Sequence, residues 1–354
     1  MLLLKNEEIA DLVSVRDLID PMESAFKEFG AQQAQEQPRF RIHLPIARPH
    51  HSYCFNNLAG AVPGISSMAL RIDSFLDRER LVDGRRVKEY PGDFVGLVLL
   101  FDLQTCDLLA MMDDHALSTM RVAATSAVAT RYLARADARV LGLFGTGRQA
   151  RTQIEAMAAV RPLREVRVYS PTREHREAFA AEMTERLGID VRAVSDPKEV
   201  VEGADIVNAA TNSGLPVFSG QWLKPGMHVT ALVGGDWYHR RDELDEEAYL
   251  RADRIVINTW RQLEQDRQGN LWGLVEAGKL GREQIAELGS LLDQGRLGRE
   301  SDQEITLYKN NHGMGIQFAV AARVAYEKAR AAGRGRELPD EWFKTFKHGG
   351  LWAP

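Results

Sequence analysis

Apolar and polar positions follow two rhythms along the chain, and the change between them falls near Leu117. Upstream the pattern is irregular. Residues 1–4 are a short apolar run that predicts a first strand, and residues 7–29 carry apolar positions at helical spacing and predict one amphipathic helix. Residues 68–72 and 95–102 read as strands, with Gly and Pro between them, so this part is α+β. From 117 to 134 small and apolar residues recur with a helical period, with Ser118 as the predicted cap. Downstream, strands and helices alternate. Strands are predicted at 139–144, 165–170, 191–194, 205–211, 227–233, 254–259 and 305–308, with helices at 148–160 and 174–187 and a short one opened by Ser195-Asp196-Pro197. Such alternation implies a parallel sheet covered on both faces and joined by right-handed crossovers. A last helix, 314–332, is placed to return to the first part. The tail, 337–354, sets Trp342, Phe343, Phe346 and Trp352 among charges, an apolar face that needs cover, such as a second subunit.

Length and composition narrow the class. The 354 residues suit two domains of ordinary size, and 44% hydrophobic with 27% charged residues is the balance of a soluble globular protein. Forty-five basic against 50 acidic residues leave a net charge of -5, which makes nucleic acid a poor partner. The apolar opening is too short for a secretory signal, and the longest apolar run, 94–101, is too short to span a bilayer, so a cytoplasmic protein with no membrane partner is expected. Two cysteines, Cys54 and Cys106, suit a reducing compartment and are read as buried thiols.

The chemistry enters at Gly145-Thr146-Gly147-Arg148-Gln149-Ala150, a G-x-G-x-x-A turn between a predicted strand and a predicted helix. In that context Gly145 permits the tight turn, Gly147 lets the backbone approach a pyrophosphate, and Ala150 keeps helix and strand close. The helix N-terminus supplies donors and partial positive charge for the anion. The fold class is therefore α/β, with a Rossmann-type parallel-sheet cofactor domain. Thr211 and Val233, at the ends of later strands, complete the candidate cofactor set. At the end of the next strand, where an NAD site places an acid on the ribose, the chain reads Ser170-Pro171-Thr172-Arg173. Two hydroxyls and a guanidinium with no carboxylate favour NADP(H), with NAD(H) as the alternative; Arg173 is otherwise a solvated residue of the first helical turn.

Three further segments carry a resemblance. Met120-Arg121 leads an Ala-rich helix into the dinucleotide turn, Val233-Gly234-Gly235-Asp236 precedes Glu243-Leu244-Asp245, and Glu304-Ile305-Thr306-Leu307 stands before the last helix. In order and spacing, from about residue 1 to 335, the chain resembles the ornithine cyclodeaminase and mu-crystallin family. The resemblance implies a substrate-binding and dimerisation domain over 1–120, completed by 314–354, and a Rossmann domain over 121–313. It implies a homodimer acting on a small carboxylate-bearing amino or imino acid. Family members include cyclodeaminases, amino-acid dehydrogenases, ketimine reductases and a non-enzymatic ligand-binding crystallin.

By the same resemblance Arg121 holds the substrate carboxylate, a task suited to its planar fork. Arg41 matches a second carboxylate-binding arginine, with Arg39 taking the role if the register slips. Asp236 matches a catalytic aspartate that moves the amine or imine proton; the alternative is a helix N-cap. Arg71 is a departure, because family members commonly carry lysine there. Arginine stays charged, so Arg71 binds an anion but shuttles protons poorly, which weakens a cyclodeaminase reading and favours three guanidiniums around an anionic substrate. Lys88 is the candidate replacement, or else a residue of a solvated loop. The expected reaction is NAD(P)H-dependent hydride transfer at a C–N bond, with a cyclodeaminase or a binding protein without turnover as alternatives. His43, His50 and His51 lack metal-ligand spacing, and no metal site is expected. His115 lies just ahead of Arg121 as a further substrate contact, and Asn310 and Asn311 are candidates for an amide contact near the nicotinamide.

Overall fold

A computed structural model of the chain describes residues 1–82, 85–89, 94–236, 241–295 and 298–344. The chain begins with β1 (Leu2–Leu4), α1 (Asn6–Leu12) and α2 (Val15–Gly30). The predicted single helix breaks because Ser14 caps α2: its hydroxyl accepts from the Asp17 N–H while the Asp17 carboxylate accepts from the Ser14 N–H. Strands β2 (Gln35–Pro45), β3 (His51–Val62), β4 (Ser67–Val82), β5 (Arg85–Glu89), β6 (Val95–Asp102) and β7 (Leu108–Asp113) follow. Only the apolar start of β4 was legible as strand. Its remainder carries Asp73, Asp77 and Arg78, and is extended because β3 pairs with it from Ser67 to Arg78. Lys88 lies in β5 by its backbone, not in a loop, and pairs with Glu79.

Helix α3 (His115–Leu133) starts three residues before the predicted cap. Asp114 is its N-cap residue, Asp113 accepts from the His115 N–H at 2.8 Å, and Ser118 turns its hydroxyl back to Asp114. α3 is buried around most of its circumference, with Ala123, Ala124, Ala127 and Val128 letting α2 and the helices that follow approach closely.

The second half alternates as predicted: β8 (Val140–Phe144), α4 (Arg148–Val160), β9 (Glu165–Tyr169), α5 (Arg173–Leu187), β10 (Asp190–Ala193), α6 (Pro197–Val201), β11 (Ile206–Ala209), β12 (His228–Ala231), α7 (Glu246–Leu250), β13 (Arg254–Ile257), α8 (Trp260–Asp266), α9 (Gly269–Glu276), β14 (Ile285–Glu287), α10 (Leu288–Asp293) and β15 (Thr306–Lys309). α11 (Gly315–Ala332) and the two-residue β16 (Arg336–Glu337) close the described chain. The first sheet has the order β16-β1-β7-β6-β4-β3-β2, with β5 on β4, and the second β10-β9-β8-β11-β12-β15-β13-β14. All pairs of the second sheet are parallel. The chain runs outward from β8 to β10 and returns to β11 on the other side of β8. The carboxyl ends of β8 and β11 therefore flank a switch point, where open α/β sheets bind ligands. β15 inserts between β12 and β13, and α11 then packs on β3, β4, α2 and α3, so the last helix does return to the first sheet.

Cys54 is buried, but Cys106 is exposed in the turn between β6 and β7, which corrects the reading of both as buried. Trp342 and Phe343 are exposed and tilt against each other; Phe346 and Trp352 lie outside the described residues. Among the described residues no helix is long and apolar enough to cross a membrane.

Candidate active site

A cavity of about 920 Å³ lies between the two sheets, lined by Arg39, Arg41, Arg71 and Phe75 from the first and by Arg148, Val233 and Asp236 from the second. Strand alternation explains the first group. Arg39 and Arg41 are two apart on β2, as are Arg71 and Asp73 on β4, so each pair shares a face.

At the dinucleotide turn Gly145 has φ +105, and a Cβ there would sit 2.3 Å from the Ala210 carbonyl oxygen, so β8 and the end of β11 meet through this glycine. A Cβ on Gly147 would meet nothing within 4 Å, which leaves open space beside the turn. No side chain caps the α4 N-terminus, and the Gln149 Oε1 is sealed from water without a partner. These features fit a dinucleotide: free N–H groups for a pyrophosphate, space beside Gly147, and an orphan acceptor. Arg148 lines the cavity, Gly147 is exposed, and Ala150 is packed inside.

Across the crevice a residue without an assigned role organises the strand ends. Buried Glu243 accepts from the Thr211 N–H and hydroxyl and from the Leu232 and Val233 N–H groups. Burial pushes its carboxyl up, against the nearby Lys309 charge and the Thr211 and Val233 donors. At the β9 end Ser170 is nearly buried, Thr172 precedes α5, and exposed Arg173 pairs with Glu177 at 2.7 Å. Arg176, which sequence reasoning missed, lies over the Tyr169 ring and donates to the Ser170 carbonyl.

On the substrate side Arg41 reaches Asp236 at 2.8 Å and Asp266 at 3.6 Å and donates its Nε–H to Asn56. Arg71 is held by Asp73 at 2.5 Å and by two 2.6 Å contacts to Asp114. Arg121 differs from both. It donates to Gln317 at 2.6 Å, lies over the Phe318 ring at 4.8 Å, and has its Nε sealed without a partner; no described carboxylate pairs with it. A Cβ on Gly313 would stand 2.7 Å from both terminal nitrogens of Arg121, so the chain at 313 presses directly on the guanidinium. Desolvation first, then the charges of Arg71 and Arg39, push Arg121 down to about 9; desolvation and Arg41 push Arg39 down to about 10. Arg39 donates its backbone N–H to Gln262.

Sequence reasoning missed Asp266, Asn56, Gln262, Gln317 and Gly313, whose only signal is three-dimensional. Asp73 had a signal in the i, i+2 spacing from Arg71. His115 stacks on Phe94 at 5.4 Å. Asn310 and Asn311 are not available for an amide ligand: both are buried and bonded to Asn258, with Asn310 also on Val122 and Ser126 and Asn311 also on Thr259 and Gln268. The Lys88 side chain lies outside the described residues.

A parallel sheet with a glycine turn at its switch point, facing a wall of guanidiniums, defines a nicotinamide-dependent oxidoreductase. Known proteins agree. The model of the ornithine cyclodeaminase/mu-crystallin family matches residues 85–333, and the chain belongs to that family. It is 31% identical over 339 residues to a Delta(1)-pyrroline-2-carboxylate reductase of Bacillus cereus, covering 96% of this chain and 99% of that protein. It is also 31% identical over 332 residues to the ketimine reductase mu-crystallin of Mus musculus, covering 92% and 96%. The structure of Thermococcus litoralis Delta(1)-pyrroline-2-carboxylate reductase with NADH and L-proline superposes with a TM-score of 0.82 at 28% identity, covering 96% of this chain and all of that one.

Proposed function

We propose that the protein reduces a small 2-imino acid, in the manner of a cyclic ketimine such as pyrroline-2-carboxylate, with NADPH preferred over NADH. The observation that carries this reading is Arg121, a desolvated guanidinium beside Arg71 and Arg39 of the cavity wall, with no described carboxylate paired to it. A desolvated cation without a counter-ion is costly, and a substrate carboxylate removes that cost with two charge-assisted hydrogen bonds. The nicotinamide, when bound, supplies the hydride to the imine carbon.

The chain's own residues position and protonate. Gly145 to Ala150 hold the pyrophosphate, with Thr211 and Val233 at the strand ends that Glu243 keeps in place. Arg121 orients the carboxylate, and Arg41 competes for it. A substrate carboxylate that draws Arg41 toward itself loosens the Arg41–Asp236 ion pair, and Asp236 handles the proton at the imine nitrogen. Arg71, clamped by Asp73 and Asp114, adds positive potential and moves no proton. That clamp favours reduction over cyclodeamination, which calls for a second proton-shuttling group besides Asp236. Ser170, Thr172 and Arg173 favour a 2′-phosphate, Arg173 exchanging Glu177 for it. We further propose a symmetric homodimer through the first sheet. Edge strand β2 leaves Ile42 and Leu44 exposed, with Phe40 at the cavity rim and Ile46 just beyond the strand, each 36–53% exposed, an apolar stripe on an edge that is unpaired among the described residues.

The test is turnover of pyrroline-2-carboxylate with NADPH and with NADH, followed by loss of the reduced nicotinamide, beside ammonia release from ornithine. Reduction without ammonia release is expected. Ammonia release from ornithine with no net cofactor consumption overturns the reading.

A further inference from the structure

One cluster in the cavity wall has no part in this chemistry. His43 on β2 and Cys54 on β3 are direct cross-strand partners, and Asp77 on β4 lies two residues beyond Phe75, the partner of Cys54. The antiparallel register therefore brings the three to one face, although 11 and 23 residues separate them along the chain. The Cys54 Sγ lies 3.2 Å from the Asp77 Oδ2, the His43 Nε2 lies 3.1 Å from the same oxygen, and all three ligand atoms fall within 4.8 Å of one another. Cys54 and Asp77 are buried, and His43 and Cys54 line the cavity.

We propose that Cys54, His43 and Asp77 form a site for a soft divalent cation, Zn2+ in particular, with its fourth position open to the cavity. Zinc takes sulfur, imidazole and carboxylate at about 2.0–2.3 Å in a tetrahedron, which sets ligand atoms about 3.4 Å apart. Two of the three separations are already close to that value, and the His43–Cys54 edge is no longer than 4.8 Å. Three protein ligands with one open position is the arrangement of zinc sites that stay accessible to small molecules. The thiol prefers Zn2+ over Mg2+ or Ca2+, and on binding Cys54 releases its proton to solvent as the S–Zn bond forms. Sequence spacing hid the site because none of its pairs has helical or CxxC spacing; the strand register creates it. The proposal does not depend on the reaction proposed above, since its test reads binding and not turnover.

The test uses the full chain carrying Cys106→Ser, which removes the exposed thiol and leaves Cys54 as the single cysteine. The chelator-treated protein is titrated with Zn2+ against a chromophoric competitor, and with Co2+ under visible and near-ultraviolet absorption. One ion per chain is expected, with a thiolate-to-cobalt charge-transfer band and the intense visible bands of tetrahedral Co2+. Adding Cys54→Ala or Asp77→Asn should lower affinity by more than the about 10- to 100-fold that losing an outer-shell partner costs. Cofactor binding by each variant checks that it is folded. Absence of saturable Zn2+ binding, a Co2+ spectrum without the thiolate band, or undiminished affinity in the folded variants each overturns the proposal. The spectrum of the Cys106→Ser protein alone decides the matter if a second substitution prevents folding.

Discussion

Gly313→Ala separates the proposed role of Arg121 from a merely structural one. A Cβ at 313 would lie 2.7 Å from both terminal nitrogens of Arg121, and ordinary contact begins at 3.4 Å, so the guanidinium must retreat by about 0.7 Å. The nearest atoms belong to the end of a long side chain and not to backbone, so the fold absorbs the methyl. The site does not. A carboxylate hydrogen bond of about 2.9 Å lengthened by that amount ceases to be one, and a charge-assisted bond is worth about 1.5–3 kcal/mol. Loss of one arm of a two-armed contact predicts a fall in kcat/KM of about 10- to 100-fold, mostly through KM, because the carboxylate is held in ground and transition states alike. The assay is steady-state reduction of pyrroline-2-carboxylate, with cofactor affinity and Tm as controls, both expected near those of the parent. A kcat/KM within about threefold of the parent, with the fold intact, would refute Arg121 as the carboxylate anchor.

Four further outcomes follow from the same geometry. Asp236→Asn keeps the shape of the side chain but cannot ionise, so kcat should fall by about 10² or more with cofactor affinity unchanged; unchanged turnover would place the proton elsewhere. Arg71→Lys cannot reproduce the fork held by Asp73 and Asp114, and little ammonia release from ornithine is expected; a clear gain would show that this one residue withholds cyclodeaminase chemistry. Arg173→Ala should weaken NADPH much more than NADH in direct binding measurements, and equal losses would remove it from the phosphate site. His228, buried among Thr130, Thr230 and Thr306, is pushed down to about 3 by desolvation and by the Arg299 and Arg161 charges. The unfolded chain binds this proton near pH 6.5 and the folded one only near 3, so His228 costs nothing above 6.5 and removes about 4–5 kcal/mol of stability as pH falls to 3. Unfolding of His228→Gln across that range should show a shallower acid loss, and a parallel curve would refute the assignment.

Features that depend on short stretches of chain were readable from the residues alone. The alternation after Leu117, the Gly145–Ala150 turn and the Asp196 cap are local, because helical and strand periods, glycine torsions and N-cap bonds involve residues only a few positions apart. That no carboxylate directly follows β9 was legible for the same reason, since Ser170, Pro171, Thr172 and Arg173 are consecutive in the chain. The break at Ser14 was also local and was missed because the apolar spacing runs through it. Tertiary structure alone decided which charges meet. Arg41 finds Asp236 and Asp266 across more than 190 residues, Arg71 finds Asp114, and Arg121 finds no carboxylate among the described residues. Strand register likewise extended β4 beyond its apolar start and brought Cys54 beside His43 and Asp77, while leaving Cys106 in the open. Such pairings depend on how two sheets and α11 pack against each other, and a pattern of single residues carries almost no information about partners that only chain closure over long loops brings together.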